Sequence, residues 1–181
     1  MRASRATIGL RETVPVIDVR QASESDGPVL ARIDLATWTP AVSPAPPPTD
    51  AGGYLFFGDR TKPSDVLVAE LDGEVVGWVK VQSASPLASH AHVLKIGGLA
   101  VDPTHQGVGV GRRLVEAAVQ ECSRLGARKV TLRVLGHNVG ARRLYERCGF
   151  LPEGVLRGEF LLEDRLVDDV LMARHLAAPI P

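Results

Sequence analysis

Cysteine is scarce in this chain, which holds only Cys122 and Cys148. Two cysteines cannot make a disulfide framework, and neither stands in a paired Cys/His spacing that would suggest zinc. A reduced, intracellular compartment is the simplest reading. Charge of one sign is also lacking: Lys plus Arg is 21 and Asp plus Glu is 21. Without a basic excess, the electrostatic case for a dedicated nucleic-acid binder falls away. So does the case for anchoring on an anionic membrane. No apolar run approaches the length needed to cross a bilayer. The first 20 residues carry arginines but no apolar core of signal-peptide length. These absences lead to the expectation of a cytoplasmic, soluble protein without metal.

What is present reads as one globular domain. The 181 residues are 45% hydrophobic and 23% charged, near the globular average. A chain of this length buries roughly 70% of its unfolded surface and needs no covalent staple. The expected layout is a loose tail over residues 1–12, a single domain over 13–176 and a short tail over 177–181. Residues 13–19 read as an edge strand, because Pro15 cannot donate to a ladder. Asp26-Gly27-Pro28 opens a helix to about Trp38. Residues 39–64 form a long loop rich in proline. At its centre, Tyr54-Leu55-Phe56-Phe57 is either a hydrophobic plug or a wall of a substrate pocket. Strands over 66–71 and 74–81 flank Asp72-Gly73, a strong hairpin signal. Residues 92–101 read as a buried strand, and Gly97-Gly98 inside it suggests a bulge. A helix over 107–125 follows, with Leu114, Val115, Ala118, Val119, Cys122 and Leu125 as its apolar stripe. A strand over 129–134, a short helix capped by Asn138 and strands over 154–162 and 166–173 complete the chain. The order β-α-β-β-β-α-β-α-β-β predicts an α/β (α+β) fold.

The sharpest local signal is Val101-Asp102-Pro103-Thr104-His105-Gln106-Gly107-Val108-Gly109-Val110-Gly111-Arg112-Arg113. A strand ends, a glycine-rich turn follows, and an amphipathic helix opens. Free amides at a helix start and the positive end of its dipole favour an anion. The Walker pattern fails, because Gly111 is followed by Arg112-Arg113 rather than Lys-Ser/Thr. The dinucleotide pattern fails too, because its third glycine would fall at Arg112. A turn with no ligand remains the other reading at this point.

A second segment runs Asn138-Val139-Gly140-Ala141-Arg142-Arg143-Leu144-Tyr145-Glu146-Arg147-Cys148-Gly149-Phe150. Together the two segments resemble the GNAT acetyltransferase superfamily. Gln106, Gly109 and Gly111 match its Gln/Arg-x-x-Gly-x-Gly/Ala turn. Asn138, Ala141, Tyr145, Gly149 and Phe150 match its later motif. The resemblance implies a mixed, mostly antiparallel central sheet splayed between two parallel strands and flanked by helices. It implies acetyl-CoA as cosubstrate, an amine acceptor, no nucleic acid, no membrane, and a fold that in relatives often forms a homodimer.

Carried over, the pyrophosphate would rest on the amides of Gln106, Gly107, Val108, Gly109, Val110 and Gly111. The pantetheine arm would pair with the backbone of Leu99, Ala100 and Val101. Arg112 and Arg113 could help hold CoA phosphates, and Asn138 and Ala141 would face the pantetheine and adenosine side. Tyr145 would protonate the departing thiolate. Many relatives carry a glutamate on the strand before the turn, and this chain has none there. His92 or His90 could relay the proton, since histidine titrates near neutral pH, as could a water chain. Glu153, Glu159, Glu163, Asp164, Asp168 and Asp169 suggest either an acidic wall for a cationic amine or a solvated hairpin. A non-catalytic acyl-CoA binder of the same fold is the alternative function.

Overall fold

The computed structural model describes residues 16–48 and 53–176. The expected tails at 1–12 and 177–181, and Pro15 of the first expected strand, lie outside the described residues. Seven strands form one sheet in the order β1-β2-β3-β4-β5-β7-β6. They are β1 Ile17–Gln21, β2 Val66–Leu71, β3 Glu74–Ser83, β4 Val93–Val101, β5 Lys129–Leu135, β6 Leu151–Leu162 and β7 Arg165–His175. The helices are α1 Gly27–Thr37, α2 Val110–Arg124 and α3 Val139–Arg147. Every neighbouring pair is antiparallel except β4 and β5.

That parallel pair is short. Val93, Leu94 and Lys95 oppose Lys129, Val130 and Thr131, and pairing then stops. Beyond it β4 stays with β3 as far as Val101, while β5 stays with β7 as far as Leu135. The sheet therefore opens into a V between residues 96–101 and 132–135. A bulge sits where the V begins: Lys80 opposes Gly98 but Val81 opposes Ile96, so Gly97 is left over. A bulge bends its strand and raises its twist, which turns β4 away from β5. The glycines there leave room for side chains. A Cβ on Gly97 would lie 2.9 Å from the Gln82 side chain, and one on Gly98 would lie 2.9 Å from the Trp78 ring.

Two cores hold the sheet. On one face α2 buries Leu114, Val115, Ala118, Val119 and Cys122 against Val79, Val81, Val130, Leu132, Phe150 and Met172. Each fully buried aliphatic side chain contributes about 1.5–3 kcal/mol by transfer. On the other face α1 packs Leu30 and Ile33 on Val66, Val68, Trp78 and Ala100. Phe56 belongs to this second core, edge-on to Trp78 at 4.9 Å. The plug reading of the long loop thus describes Phe56, whereas Leu55 is exposed.

The hairpin turn matches its sequence signal, with Asp72 and Gly73 at φ of 52° and 83°. Three expected boundaries move. Helix α2 starts at Val110 rather than Gly107, because Gly107 and Gly109 have φ of 82° and 100°, which a helix cannot hold. The first strand runs to Gln21 rather than Val19, because its ladder continues to Leu67. Strand β6 starts at Leu151 and is irregular at Pro152/Gly154 and Leu156/Phe160.

Gly77 lies where α2 packs closely on the sheet. A Cβ there would lie 2.9 Å from the Ala100 carbonyl oxygen and 3.1 Å from Leu114. Gly77→Ala should cost about 1–3 kcal/mol by overpacking, and thermal denaturation would show a fall in Tm of several degrees.

Candidate active site

The V ends on the turn between β4 and α2. Asp102 anchors that turn and is almost fully buried. Its backbone N–H donates to Val76 at 2.8 Å. Its carboxylate accepts from the Thr104 hydroxyl at 2.6 Å, the Thr104 amide at 3.0 Å and the Arg32 guanidinium at 2.8 Å. These donors hold the carboxyl down at about 2, the Thr104 hydroxyl first and Arg32 next. Pro103 and Thr104 then turn the chain, and Gln106 donates its side-chain amide to the Val101 carbonyl at 3.1 Å.

The first rung of α2 runs from the Arg113 amide to the Gly109 carbonyl. The amides at the helix start therefore point outward without intrahelical partners. A Cβ on Gly107 would meet nothing within 4 Å, so the outer side of the turn is open. A Cβ on Gly111 would lie 3.3 Å from Leu144, so the start of α2 packs against the second half of α3. Backbone donors, the dipole and open space suit a diphosphate or another anion. Arg112 and Arg113 stand beside the turn but turn to Glu116, at 2.7 Å and 3.9 Å.

On the other arm of the V, the Asn138 side chain accepts from the Ala141 amide at 3.1 Å and caps α3. Its oxygen is thereby committed to the helix. Ala141 and Leu144 pack on the core beside Tyr145. Tyr145 is buried, with its ring edge-on to Phe150 at 6.0 Å. Burial first, and Cys148 second, push the phenol up to about 12. Such a phenol keeps its proton throughout the neutral range.

Leu99, Ala100, Val101 and the glycine turn lie towards the open end of the V along one arm, while Asn138 follows the other arm and caps the helix that carries Ala141 and Tyr145. His92 and His90 are not brought there. His92 is exposed just before β4, where its carbonyl accepts the Arg128 amide and the two parallel strands are still paired. Leu99 lies about 20 Å further along the strand at ~3.3 Å per residue. His92, expected as a proton relay, thus stands beside the paired end of the V.

The acidic-wall reading of the last hairpin also meets a correction. Glu153 contacts Lys129 at 2.6 Å and His175 at 3.3 Å. Glu159 and the buried Asp169 both contact Arg133. Asp168 accepts from the Gly158 amide at 2.8 Å. Most of these acids are internally engaged rather than presented to a ligand.

The family profile described as Acetyltransferase (GNAT) family matches residues 29–150. The chain belongs to the GNAT acetyltransferase family. A relative within reach of this GNAT protein is the aminoglycoside N(6')-acetyltransferase type 1 of Stenotrophomonas maltophilia. It is 31% identical over 140 residues, spanning 73% of this chain and 84% of that one. Among solved structures, smu.2055 from Streptococcus mutans UA159 superposes with a TM-score of 0.75 at 25% identity, covering 88% of this chain and 99% of that chain. A phosphinothricin acetyltransferase from Sinorhizobium meliloti in complex with AcCoA gives 0.70 at 17% identity, covering 89% of each chain. At that identity the likeness is one of fold. Among the described residues no helix is long and apolar enough to cross a membrane. No group of three His, Cys, Asp or Glu side chains among them could hold a metal ion.

Two groups escaped the sequence reading. Asp102-Pro103-Thr104 is a side-chain-to-backbone turn signal that was there to be read. Asp34, which accepts from the Tyr54 hydroxyl at 2.6 Å, gave no local signal because its partner lies 20 residues away.

The buried carboxyls set an acid limit for this GNAT fold. Asp26 is held at about 2, chiefly by Arg20, and Asp102 also lies at about 2, against an ordinary 3.8. Their stabilisation is complete above pH ~4 and is lost as pH falls toward 2. Melts between pH 5 and 2.5 should show a falling Tm. Asp102→Asn should start several degrees lower and fall less, since it lacks one of the titrating groups.

Proposed function

We propose that this protein transfers an acetyl group from acetyl-CoA to a primary amine. The observation that carries the reading is the V between β4 and β5, which ends on outward amides at the start of α2. The open face of Gly107 and the left-handed backbone at Gly107 and Gly109 fit a cofactor that carries a diphosphate. The Sinorhizobium meliloti neighbour of the same fold is in complex with AcCoA, which agrees with acetyl-CoA as the cosubstrate. The aminoglycoside acetyltransferase relative supports an amine as the acceptor.

Acetyl-CoA supplies a thioester carbon open to attack by a neutral amine. The residues of this chain do the rest. The glycine turn would hold the diphosphate on the amides of Gln106, Gly107, Val108, Gly109, Val110 and Gly111. The free edge of β4 would pair with the pantetheine arm as an added strand. The amide of Leu99 or Val101 would polarise the thioester carbonyl. Tyr145 would give its proton to the departing thiolate, as its raised pKa keeps that proton available at neutral pH. The amine nitrogen forms the new bond to carbon, the carbon–sulfur bond breaks, and the amine's extra proton leaves to water.

A non-catalytic acyl-CoA binder is the second reading. It is favoured by one observation: no carboxylate stands on β4 between Val93 and Val101. Release of free thiol from acetyl-CoA across amino acids, polyamines, aminoglycosides and short peptides separates the two. Release with any one class supports transfer, whereas CoA binding with no release on the whole panel supports the binder.

Tyr145→Phe should lower kcat by about 10²-fold with little change in acetyl-CoA affinity; an unchanged kcat would remove Tyr145 from the chemistry. Gly107→Asp places a carboxylate at the mouth of the amides. Acetyl-CoA affinity measured by calorimetry should fall tenfold or more, at a backbone cost of about 1–2 kcal/mol in stability.

A further inference from the structure

Parallel strands inside a sheet are ordinarily apolar on both faces, because helices cover both. β4 and β5 are apolar beyond their first rung on one face alone. Toward α2 they present Leu94, Ile96, Val130, Leu132 and Val134, which lie in or against that core. The residues between these, Lys95, Thr131 and Arg133, face the other way. On β3 the same alternation sets Val79 and Val81 toward α2, and Lys80 and Gln82 away from it. Helix α1 does not cover this polar floor. The core beneath α1 takes Trp78 and Ala100 from β3 and β4, and no residue of β5. The five polar side chains all remain at least partly exposed.

The floor lies where the V closes. Lys95 opposes Thr131 in the last parallel pair, and Gln82 opposes Lys95 on its other side. The Gln82 carboxamide lies at the bulge, since a Cβ on Gly97 would be 2.9 Å from it. Lys80 opposes Gly98, just beyond. Its ammonium donates to two neutral groups, the Arg60 carbonyl at 2.6 Å and the Thr61 hydroxyl at 2.7 Å. Burial lowers its pKa; Asp65 works against that shift, and Lys95, a second positive charge nearby, adds to it. On the other arm Arg133 is paired with Asp169 and Glu159. Lys129, two rungs below Thr131's, is paired with Glu153. Among the described residues the side chains of Lys95 and Gln82 make no ion pair or hydrogen bond. Leu99 lies four residues past Lys95, at most about 13 Å along an extended strand. The reach of a lysine side chain and the bulge both shorten that gap.

We propose that Lys95 and Gln82 form an anion subsite for the acceptor, and that the acceptor is an amine carrying a carboxylate, of the amino-acid class. This rests on the acetyltransferase reading and narrows its amine to a class. The carboxylate takes a charge-assisted hydrogen bond from the Lys95 ammonium and a second from the Gln82 amide, which has two donors. Lys80 adds attraction at longer range. The amine end of the same molecule extends past the bulge toward Leu99. A polycation would instead bring like charge to two lysines, so the floor also selects against polyamines.

The test is calorimetric binding to the CoA-saturated protein of β-alanine, 4-aminobutanoate and L-methionine, each beside its own carboxamide. The wild type should bind at least one of the acids tenfold or more tightly than the matching amide. Lys95→Gln removes the charge on an exposed side of the sheet. It should abolish that preference while acetyl-CoA affinity and Tm stay as in the wild type. Lys95→Arg, which restores the charge, should restore part of the preference, and Gln82→Ala should weaken it. Equal binding of every acid and its amide by the wild type would overturn the proposal, as would a preference that survives in Lys95→Gln. Titration of acetyl-CoA on the same samples keeps the two readings apart. Absence of acetyl-CoA binding sinks the acetyltransferase reading, whereas acetyl-CoA binding without discrimination between acids and amides sinks only the anion subsite.

Discussion

The parallel contact between β4 and β5 lasts for three residue pairs and then ends, and the rest of the molecule is arranged around that parting. Two strands that stop pairing expose backbone donors and acceptors on both inner edges. Such edges must be covered, solvated or used. Here the glycine bulge at Gly97 turns β4 aside, while β5 is kept straight by its long ladder with β7. The opening is therefore built into the register of the sheet rather than left by poor packing. The two cores on either face carry the stability that lets the centre of the sheet come apart.

Each arm of the opening leads into a helix start. β4 ends at Asp102, whose bonds to Thr104, Arg32 and Val76 fix where α2 begins. β5 ends at a short loop, and Asn138 caps α3. Leu144, in the second half of α3, rests against Gly111 at the start of α2. Outward amides at the start of α2 and a free edge of β4 thus meet at the open end of the V. This convergence makes acyl transfer a coherent reading for a member of the GNAT family, where either helix alone would be only an anion site.

The electrostatic pattern divides the molecule in the same way. Acids that hold the fold together are matched by arginines: Asp26 joins β1 to α1, and Asp102 joins α1 to the end of β4. Asp169 joins β7 to β5 through Arg133. The final hairpin, rich in acidic residues, is largely neutralised internally. The half-buried Asp34, Asp65 and Asp168 are instead held by neutral donors, the Tyr54 hydroxyl and the Lys62 and Gly158 amides. Charges that are paired within the fold serve its architecture.

Much of this was legible along the chain. The order of elements follows from local periodicity, from Asp72-Gly73 and from the apolar stripe of α2, because these signals lie within one turn or one hairpin. The glycine turn and the Asn138–Phe150 stretch were legible as motifs for the same reason: spacing within a helix start is a local quantity. Gly97-Gly98 already suggested a bulge. Other features depend on residues far apart in sequence. The true start of α2 at Val110 depends on backbone angles at Gly107 and Gly109 that composition does not specify. The histidines before β4 looked close to the turn in sequence, but an extended strand carries them to the closed end of the V. The acids of the last hairpin looked available until β5 brought Lys129 and Arg133 beside them. Asp34 looked like an ordinary polar residue on α1 until Tyr54 was folded onto it. The sequence by itself determined the elements, their order and the local chemistry of each helix start, because those depend on neighbours within a few residues. Only the tertiary structure decided which charges are cancelled and which remain, because a counter-ion is a matter of distance in space and not along the chain.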